Sequence, residues 1–297
     1  MRPADFFVLR ELSRRGGFVA AGDALAALKR WRDNYGAVQA AANGEWRLCY
    51  QPQWIGDARL HMTDAVVVHQ TKSTNDDAAG LSPPVFVFAE HQMSGRGRRG
   101  RLWFSLPGAA VLFSAHLSMP PMAQGLTVAI GTGLWRVLKQ YADVRLKWPN
   151  DLLDARGRKI GGVLAEAKGK SIIIGIGINL QLTPQMAALI NKPAAGLADT
   201  ADGLPPLAEL SQMLAGAVRE TCAKFAADGL RSFLPDALRA HLPQVGDEMT
   251  IANDAGAGEK NNSGIFAGFA DDGALLLKSG GGIVRCLCGE VHNVAGG

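Results

Sequence analysis

The chain is poor in the residues that would staple it, anchor it or charge it. Among 297 residues there are four cysteines, Cys49, Cys222, Cys286 and Cys288. Only the last two lie close together, and a lone Cys-x-Cys pair lacks the second pair of ligands that a zinc site requires. Reduced core or strand thiols are therefore expected. No run approaches the roughly 18 apolar residues of a membrane span. Residues 1–5 lead into a helical pattern with Arg10, Glu11, Arg14 and Arg15, not into an apolar leader with a small-residue cleavage site. A cytoplasmic protein without a membrane partner is the expectation. Net charge is only +4, too little to imply nucleic acid by itself. There is no internal repeat. What is present is ordinary for a folded chain, 47% apolar and 20% charged, long enough for one large core and one or two small modules.

Residues 4–35 show helical spacing in two segments, broken at Gly16-Gly17, with Leu12 in the first and Leu25, Leu28 and Trp31 in the second. Asn43-Gly44 between two apolar stretches is a strong hairpin signal. Two helices and a hairpin predict a small α/β winged-helix-like module over residues 1–61. From 62 to 242 the pattern alternates. Strands are predicted at 66–68, 85–88, 111–113, 144–146 and 172–174, and helices with one apolar stripe at 122–142 and 206–227. The economical fold class is α+β, a mixed sheet with helices packed on one face. Short strands near 249–251, 264–266, 275–277 and 283–285, divided by Asn, Asp and Gly turns, predict a small β-barrel over 243–297.

Residues 95–101 read Gly-Arg-Gly-Arg-Arg-Gly-Arg. Glycines let backbone approach a ligand, and arginine supplies planar donors for phosphate or carboxylate. The spacing Gly95, Gly97, Gly100 also fits a dinucleotide fingerprint, but that motif needs a helix starting in the glycine run and an acidic residue about 20 positions on. Pro107-Gly108 follows instead, and no carboxylate lies near Met119-Pro120-Pro121-Met122. Four like charges on so pliable a backbone are expected to be mobile until an anion orders them.

Four more segments sit at predicted strand ends: Ser73-Thr74-Asn75, Lys147-Trp148-Pro149-Asn150-Asp151, Lys159-Ile160-Gly161-Gly162-Val163-Leu164-Ala165-Glu166 and Gly175-Ile176-Gly177-Ile178-Asn179. Taken singly they read as a helix cap, a turn, a surface lysine beside a bulge, and a strand terminus. Together their chemistry is complementary. Hydroxyls and amides suit a neutral polar group, the arginines and Lys159 suit carboxylate plus phosphate, and Asp151 is a candidate for Mg²⁺ on a nucleotide.

The loop with Trp103 and Ser105, the Lys147–Asp151 segment and Lys159–Gly162 resemble biotin protein ligase over roughly residues 62–292. The resemblance implies a class II synthetase-like mixed sheet and an SH3-like C-terminal barrel. It implies ATP-dependent formation of biotinyl-5′-AMP, followed by transfer of biotin to a lysine of a biotin carboxyl carrier protein domain of acetyl-CoA carboxylase. It places biotin against Ser73, Thr74, Asn75, Gln92, Gly95, Arg96, Gly97, Arg98 and Lys159, the ureido end on Ser73, Thr74 and Gln92. ATP and the adenylate fall to Arg98, Arg101, Trp103, Lys147, Asn150, Asp151, Gly162 and Asn179, with catalysis carried by Lys159, Arg98 and Arg96. No role is assigned to Arg99. Bifunctional members repress biotin synthesis through an N-terminal winged helix. Here a single helical stretch, Leu25 to Asn34, stands where a turn and a recognition helix belong, so Lys29, Arg30 and Arg32 suit phosphate contact better than base reading. Other readings carried forward are the bifunctional repressor, a basic nucleic-acid module without ligase activity, and a lipoate ligase, which would lack the loop in this form. A homodimer through an exposed sheet edge is a further expectation.

Overall fold

A computed structural model describes residues 3–57, 60–190, 192–252 and 261–292. The ends of the predicted N-terminal module and C-terminal barrel, 1–2 and 293–297, lie outside the described residues. The chain opens with α1 (Pro3–Arg15), β1 (Phe18–Val19), α2 (Gly22–Tyr35), β2 (Val38–Ala40) and β3 (Glu45–Leu48). Gly36 ends α2 in the left-handed conformation, its amide returning to the Arg32 carbonyl, as a glycine after a helix should. The strands make a three-stranded sheet in the order β1-β3-β2.

The central part holds β4 (Ala65–Val68), α3 (Thr74–Ala79), β5 (Val85–Ala89), β6 (Gly95–Arg96), β7 (Leu102–Trp103), β8 (Ala110–Ser118), α4 (Leu126–Leu138), β9 (Val144–Lys147), β10 (Asp151–Asp154), β11 (Lys159–Lys168), β12 (Ser171–Asn179), α5 (Pro184–Leu189), α6 (Leu207–Asp228), α7 (Leu234–Ala240) and β13 (His241–Leu242). Eight of these strands form one sheet in the order β13-β9-β10-β11-β12-β8-β5-β4, mixed because β4 and β13 pair parallel to their neighbours. One face packs Phe86, Phe113, Ile174, Ile176 and Ile178 against apolar residues of α4 and α6, such as Ile130, Leu134, Leu210 and Leu214. The opposite face differs from the expected bare sheet: Ala78 of α3 packs there on Val85, Val87 and Ile173. α3 is too short to show a helical stripe; the cap-like Ser73-Thr74-Asn75 is what announces a short helix there, though not the face on which it packs. β10 and β11 were also absent from the strand reading, because their glycines, lysines and carboxylates read as motif rather than as strand.

The last part is a five-stranded sheet of β14 (Glu248–Ala252), β15 (Asn262–Phe269), β16 (Leu275–Ser279), β17 (Gly282–Cys286) and β18 (Glu290–His292), in the order β17-β16-β15-β14-β18. Its Phe266, Leu275 and Leu277 join the main core. The N-terminal module is equally continuous with the rest. Leu9, Leu12, Leu28, Trp31 and Trp46 share one buried cluster with Leu106, Ala109 and Met186. Among the described residues no helix is long and apolar enough to cross a membrane.

Candidate active site

A cleft of about 580 Å³ lies along the sheet face that carries α3, within the range of small-molecule sites. Its floor is β12. Successive side chains of a strand point to opposite faces, so Ile176 and Ile178 enter the core while Gly175 and Gly177 face the cleft. A Cβ at Gly177 would stand 2.8 Å from Trp103 Cε2, and one at Gly175 would collide with the Asn75 carboxamide. The two glycines thus let Trp103 and Asn75 lie against the sheet.

One end of the cleft is polar and uncharged. Ser73 holds the N-cap position of α3, yet its hydroxyl makes no capping hydrogen bond and lines the cleft while almost fully buried. Thr74 donates to Gln92 Oε1 from both its amide (2.8 Å) and its hydroxyl (3.1 Å). Ser114 Oγ of β8 stands 2.7 Å from Thr74 Oγ1 and 2.5 Å from Asn75 Oδ1, and Asn75 Nδ2 donates to Glu166 of β11. Ser114 is not marked in the sequence, and Glu166 only closes the Lys159–Glu166 segment without a role. Only the register, which sets Ser114 opposite Gly175, brings them here.

The middle is cationic. Lys159 Nζ donates to Asp151 Oδ1 at 2.5 Å across the β10–β11 pair. The turn before β10, Lys147 to Asn150, is closed by a 3.1 Å backbone hydrogen bond and contains a cis Trp148–Pro149 peptide. Asn150 Nδ2 donates to the Val163 carbonyl (2.9 Å), which turns its oxygen to receive Arg98 Nη1 at 3.2 Å. Burial lowers the pKa of Arg98, and Asp151 and Glu290 work against that shift. Gly97 and Gly162 also face the cavity. Two predicted residues do not line it. Lys147 is half-buried and is the strand partner of Asp151, its pKa lowered by desolvation and supported by Asp151 and Glu290. Gly95 is buried under the loop, where a Cβ would lie 3.0 Å from the Trp103 carbonyl and 3.1 Å from Gln92 Nε2.

Part of the lining is aromatic: Trp103 lies over Gly177. Trp103 Nε1 and Asn179 Oδ1, both in the cleft wall, are buried without a hydrogen-bond partner. Buried polar atoms are rarely left so, and a donor and an acceptor at one end of a cavity are the groups a ligand would satisfy. Glu290, Lys192, Leu189 and Ile190 complete the rim. No pattern in the sequence could flag Glu290, because it arrives from the last strand of a different sheet.

The model of the biotin/lipoate A/B protein ligase family matches residues 67–182, which contain this cleft's loop, turn and floor. Biotin--[acetyl-CoA-carboxylase] ligase of Mycobacterium tuberculosis is 31% identical over 241 residues, 76% of this chain and 87% of that protein. The enzyme of the same name from Paracoccus denitrificans is 30% identical, with 72% of this chain and 93% of that protein covered. The chain belongs to the biotin protein ligase family. Within the biotin protein ligase family it also resembles the bifunctional ligase/repressor BirA of Escherichia coli K12, at 34% identity over 68% of this chain. It spans 64% of that relative's length. The fold matches that of a biotin protein ligase from Aquifex aeolicus solved with biotin and ATP, with a TM-score of 0.66, 23% identity, and coverage of 78% of this chain and 98% of that one.

Proposed function

We propose that the chain is a biotin protein ligase that joins biotin to AMP and then to a lysine of a biotin carboxyl carrier domain. The observation that carries this reading is the set of chemistries gathered in one cleft: buried hydroxyls and amides, clustered cations, and a tryptophan and an asparagine with an orphaned donor and acceptor. Ser73, Thr74 and Gln92 would satisfy the urea of biotin, with Asn75 beside them. Arg96, Arg98 and Lys159 would draw the biotin carboxylate and the α-phosphate together against their repulsion. A carboxylate oxygen attacks the α-phosphorus and pyrophosphate leaves. The carrier's lysine amine then attacks the acyl carbon and AMP leaves. Trp103 would cover the adenine and Asn179 would accept from its amino group. Arg101, Asn150 and Gly162 would face the phosphates and ribose, with Lys147 acting from beside Asp151 and Gly95 from beneath the loop.

The donor set suits Mg²⁺ only as an ion carried on phosphate. Asp151 is one hard oxygen donor beside the cations, and no cluster of three His, Cys, Asp or Glu residues exists among the described residues. Asp151 would hold the ion, which would supply positive charge to offset that of the phosphates. Neither a cysteine nor a histidine lines the cleft among the described residues, so direct displacement on bound substrates is favoured over a covalent enzyme intermediate. The C-terminal sheet is read as an SH3-like barrel, the large sheet as class II synthetase-like, and residues 1–61 as a winged-helix-like module. Three of that module's arginines are paired with carboxylates: Arg30 holds the buried Asp5 (2.5 Å), and the exposed Arg32 and Arg47 hold Asp33 (2.6 Å) and Glu45 (3.1 Å). Such pairing argues for a ligase without a repressor function. Mass spectrometry of the full chain incubated with biotin, ATP and Mg²⁺ should find retained biotinyl-AMP, and labelling of a carrier domain should follow. Absence of both would refute the proposal, and a specific gel shift with operator DNA would restore the bifunctional reading.

A further inference from the structure

Asn75 lies across three strands. Its carboxamide sits over Gly175 of β12 and reaches Ser114 of β8 on one side and Glu166 of β11 on the other. Ser114 and Leu164 are the two sheet partners of Gly175, and Glu166 follows Leu164 by two residues, on the same face of β11. Ser114, Thr74 and Asn75 are all buried, so the protons among them can be counted. Five contacts link the group. Thr74 reaches Gln92 Oε1 from its amide (2.8 Å) and its hydroxyl (3.1 Å), Ser114 Oγ meets Thr74 Oγ1 (2.7 Å) and Asn75 Oδ1 (2.5 Å), and Asn75 Nδ2 meets Glu166. A carboxylate and an amide oxygen only accept, and each hydroxyl has one proton to give. One backbone amide, two hydroxyls and one carboxamide N–H thus supply four protons to these five contacts. Ser114 faces two oxygens with a single proton, and the shorter contact is to Asn75. Thr74 Oγ1 is the atom left short.

Turning the carboxamide over would remove the shortage, because Nδ2 would donate to Ser114 and the Ser114 proton would pass to Thr74. It would also set Oδ1 against the Glu166 carboxylate, acceptor against acceptor. We infer that Glu166 is a positioning residue: it holds the Asn75 carboxamide in the orientation that keeps the Thr74 hydroxyl oxygen an open acceptor for an N–H of a neutral ligand. Thr74, Asn75 and Gln92 line the cleft, and Glu166 acts on the ligand through them. The identity of that ligand rests on the proposed ligase reading, under which the donor is a urea N–H of biotin, whereas the orientation of the carboxamide does not. One hydrogen bond gained or lost at such an oxygen corresponds to about 3- to 10-fold in affinity.

The test is calorimetric titration of the full chain with biotin, together with its denaturant midpoint. In Glu166→Gln the new carboxamide can face Asn75 with either its oxygen or its nitrogen, so Asn75 is free to turn over and gain the missing hydrogen bond. Biotin affinity should fall about 3- to 10-fold, and in steady state the defect should appear in KM for biotin and not in kcat. Asn75→Asp sets two carboxylates together and should lower the denaturant midpoint. The double variant Asn75→Asp/Glu166→Gln exchanges the two groups: the carboxylate at position 75 accepts from Ser114 and from the carboxamide at position 166. It should recover both the midpoint and the biotin affinity. Arg96 lies 3.9 Å from Glu166 and offers another route for the effect. In a Thr74→Val background, where no hydroxyl remains to be tuned, Glu166→Gln should therefore change affinity by less than about twofold. Wild-type affinity in Glu166→Gln would overturn the inference, as would an undiminished loss in the Thr74→Val background or a double variant no better than Asn75→Asp. If the wild type binds no biotin while the midpoints fall and recover as described, the functional proposal fails and the orientation of Asn75 by Glu166 stands.

Discussion

Gly177→Ala adds one methyl group to the cleft floor, and its cost can be worked from the geometry. The new Cβ would stand 2.8, 2.9 and 3.1 Å from Cε2, Cζ2 and Nε1 of Trp103, closer than carbon atoms pack. The indole is half-buried, so two responses compete. If Trp103 keeps its place, the strain appears in folding stability, about 1–3 kcal/mol as for other overpacked sites. If Trp103 swings outward, the fold relaxes and the aromatic cover over a nucleotide is lost, about 1–3 kcal/mol of stacking. The sum of the stability loss, from denaturant titration, and the ATP affinity loss, from calorimetry, should therefore be about 1–3 kcal/mol. Trimming the indole should remove the clash, so Gly177→Ala should cost far less stability in a Trp103→Leu background, a coupling of about 0.5–3 kcal/mol. A Gly177→Ala protein with wild-type stability and wild-type ATP affinity would refute the assignment of this glycine to close approach.

Lys159→Ala and Arg98→Ala should each slow adenylate formation by a factor corresponding to about 2.7–4 kcal/mol, by analogy with other donors aimed at developing charge. Thermal melts should change little; normal single-turnover adenylate yield in both would be decisive against their role. His91 and His241 are buried, and desolvation lowers each to about 4. Between pH 6.5 and 4 the unfolded chain binds more protons than the folded one, so stability should be intact above about pH 6.5 and fall as pH drops toward 4. His91→Phe should flatten part of that slope in urea titrations at several pH values, and an unchanged slope would count against it. Phe6 is fully buried and stacks on His91 at a ring separation of 6.1 Å, joining α1 to the residue before Gln92. Phe6→Ala should cost about 3–5 kcal/mol, and because the module shares its core with Leu106 and Met186, unfolding should remain one transition rather than two.

Part of this site was legible because its chemistry is concentrated in short contiguous runs. Gly95–Arg101, Lys147–Asp151 and Lys159–Gly162 each carry residues whose charge or missing side chain has a purpose within a few positions, and most of them do meet in one cleft. The expectation of a mobile loop rested on like charges repelling within the run. The run itself does not disclose Asp76 and Glu290, which pair with Arg96 and Arg101 from α3 and β18. Arg99, which had no role in the sequence, takes a left-handed backbone (φ 59°) at the turn of the hairpin and points its charge toward the same Glu290.

Sequence alone therefore determined the local alphabet of the molecule: the amphipathic stripes of α4 and α6, the Gly-Ile alternation of β12, the hairpin at Asn43-Gly44 and the cation-rich motifs. These depend on periods of two or 3.6 residues and on side-chain chemistry, both readable without neighbours. Tertiary structure alone decided which face of the sheet the motifs share, that Ser114 and Glu166 join Asn75, that Lys147 stands opposite Asp151, and that the first module shares its core with the rest. Each of these is set by strand order and register between segments far apart in the chain. A one-residue shift in register would send every one of those side chains to the other face.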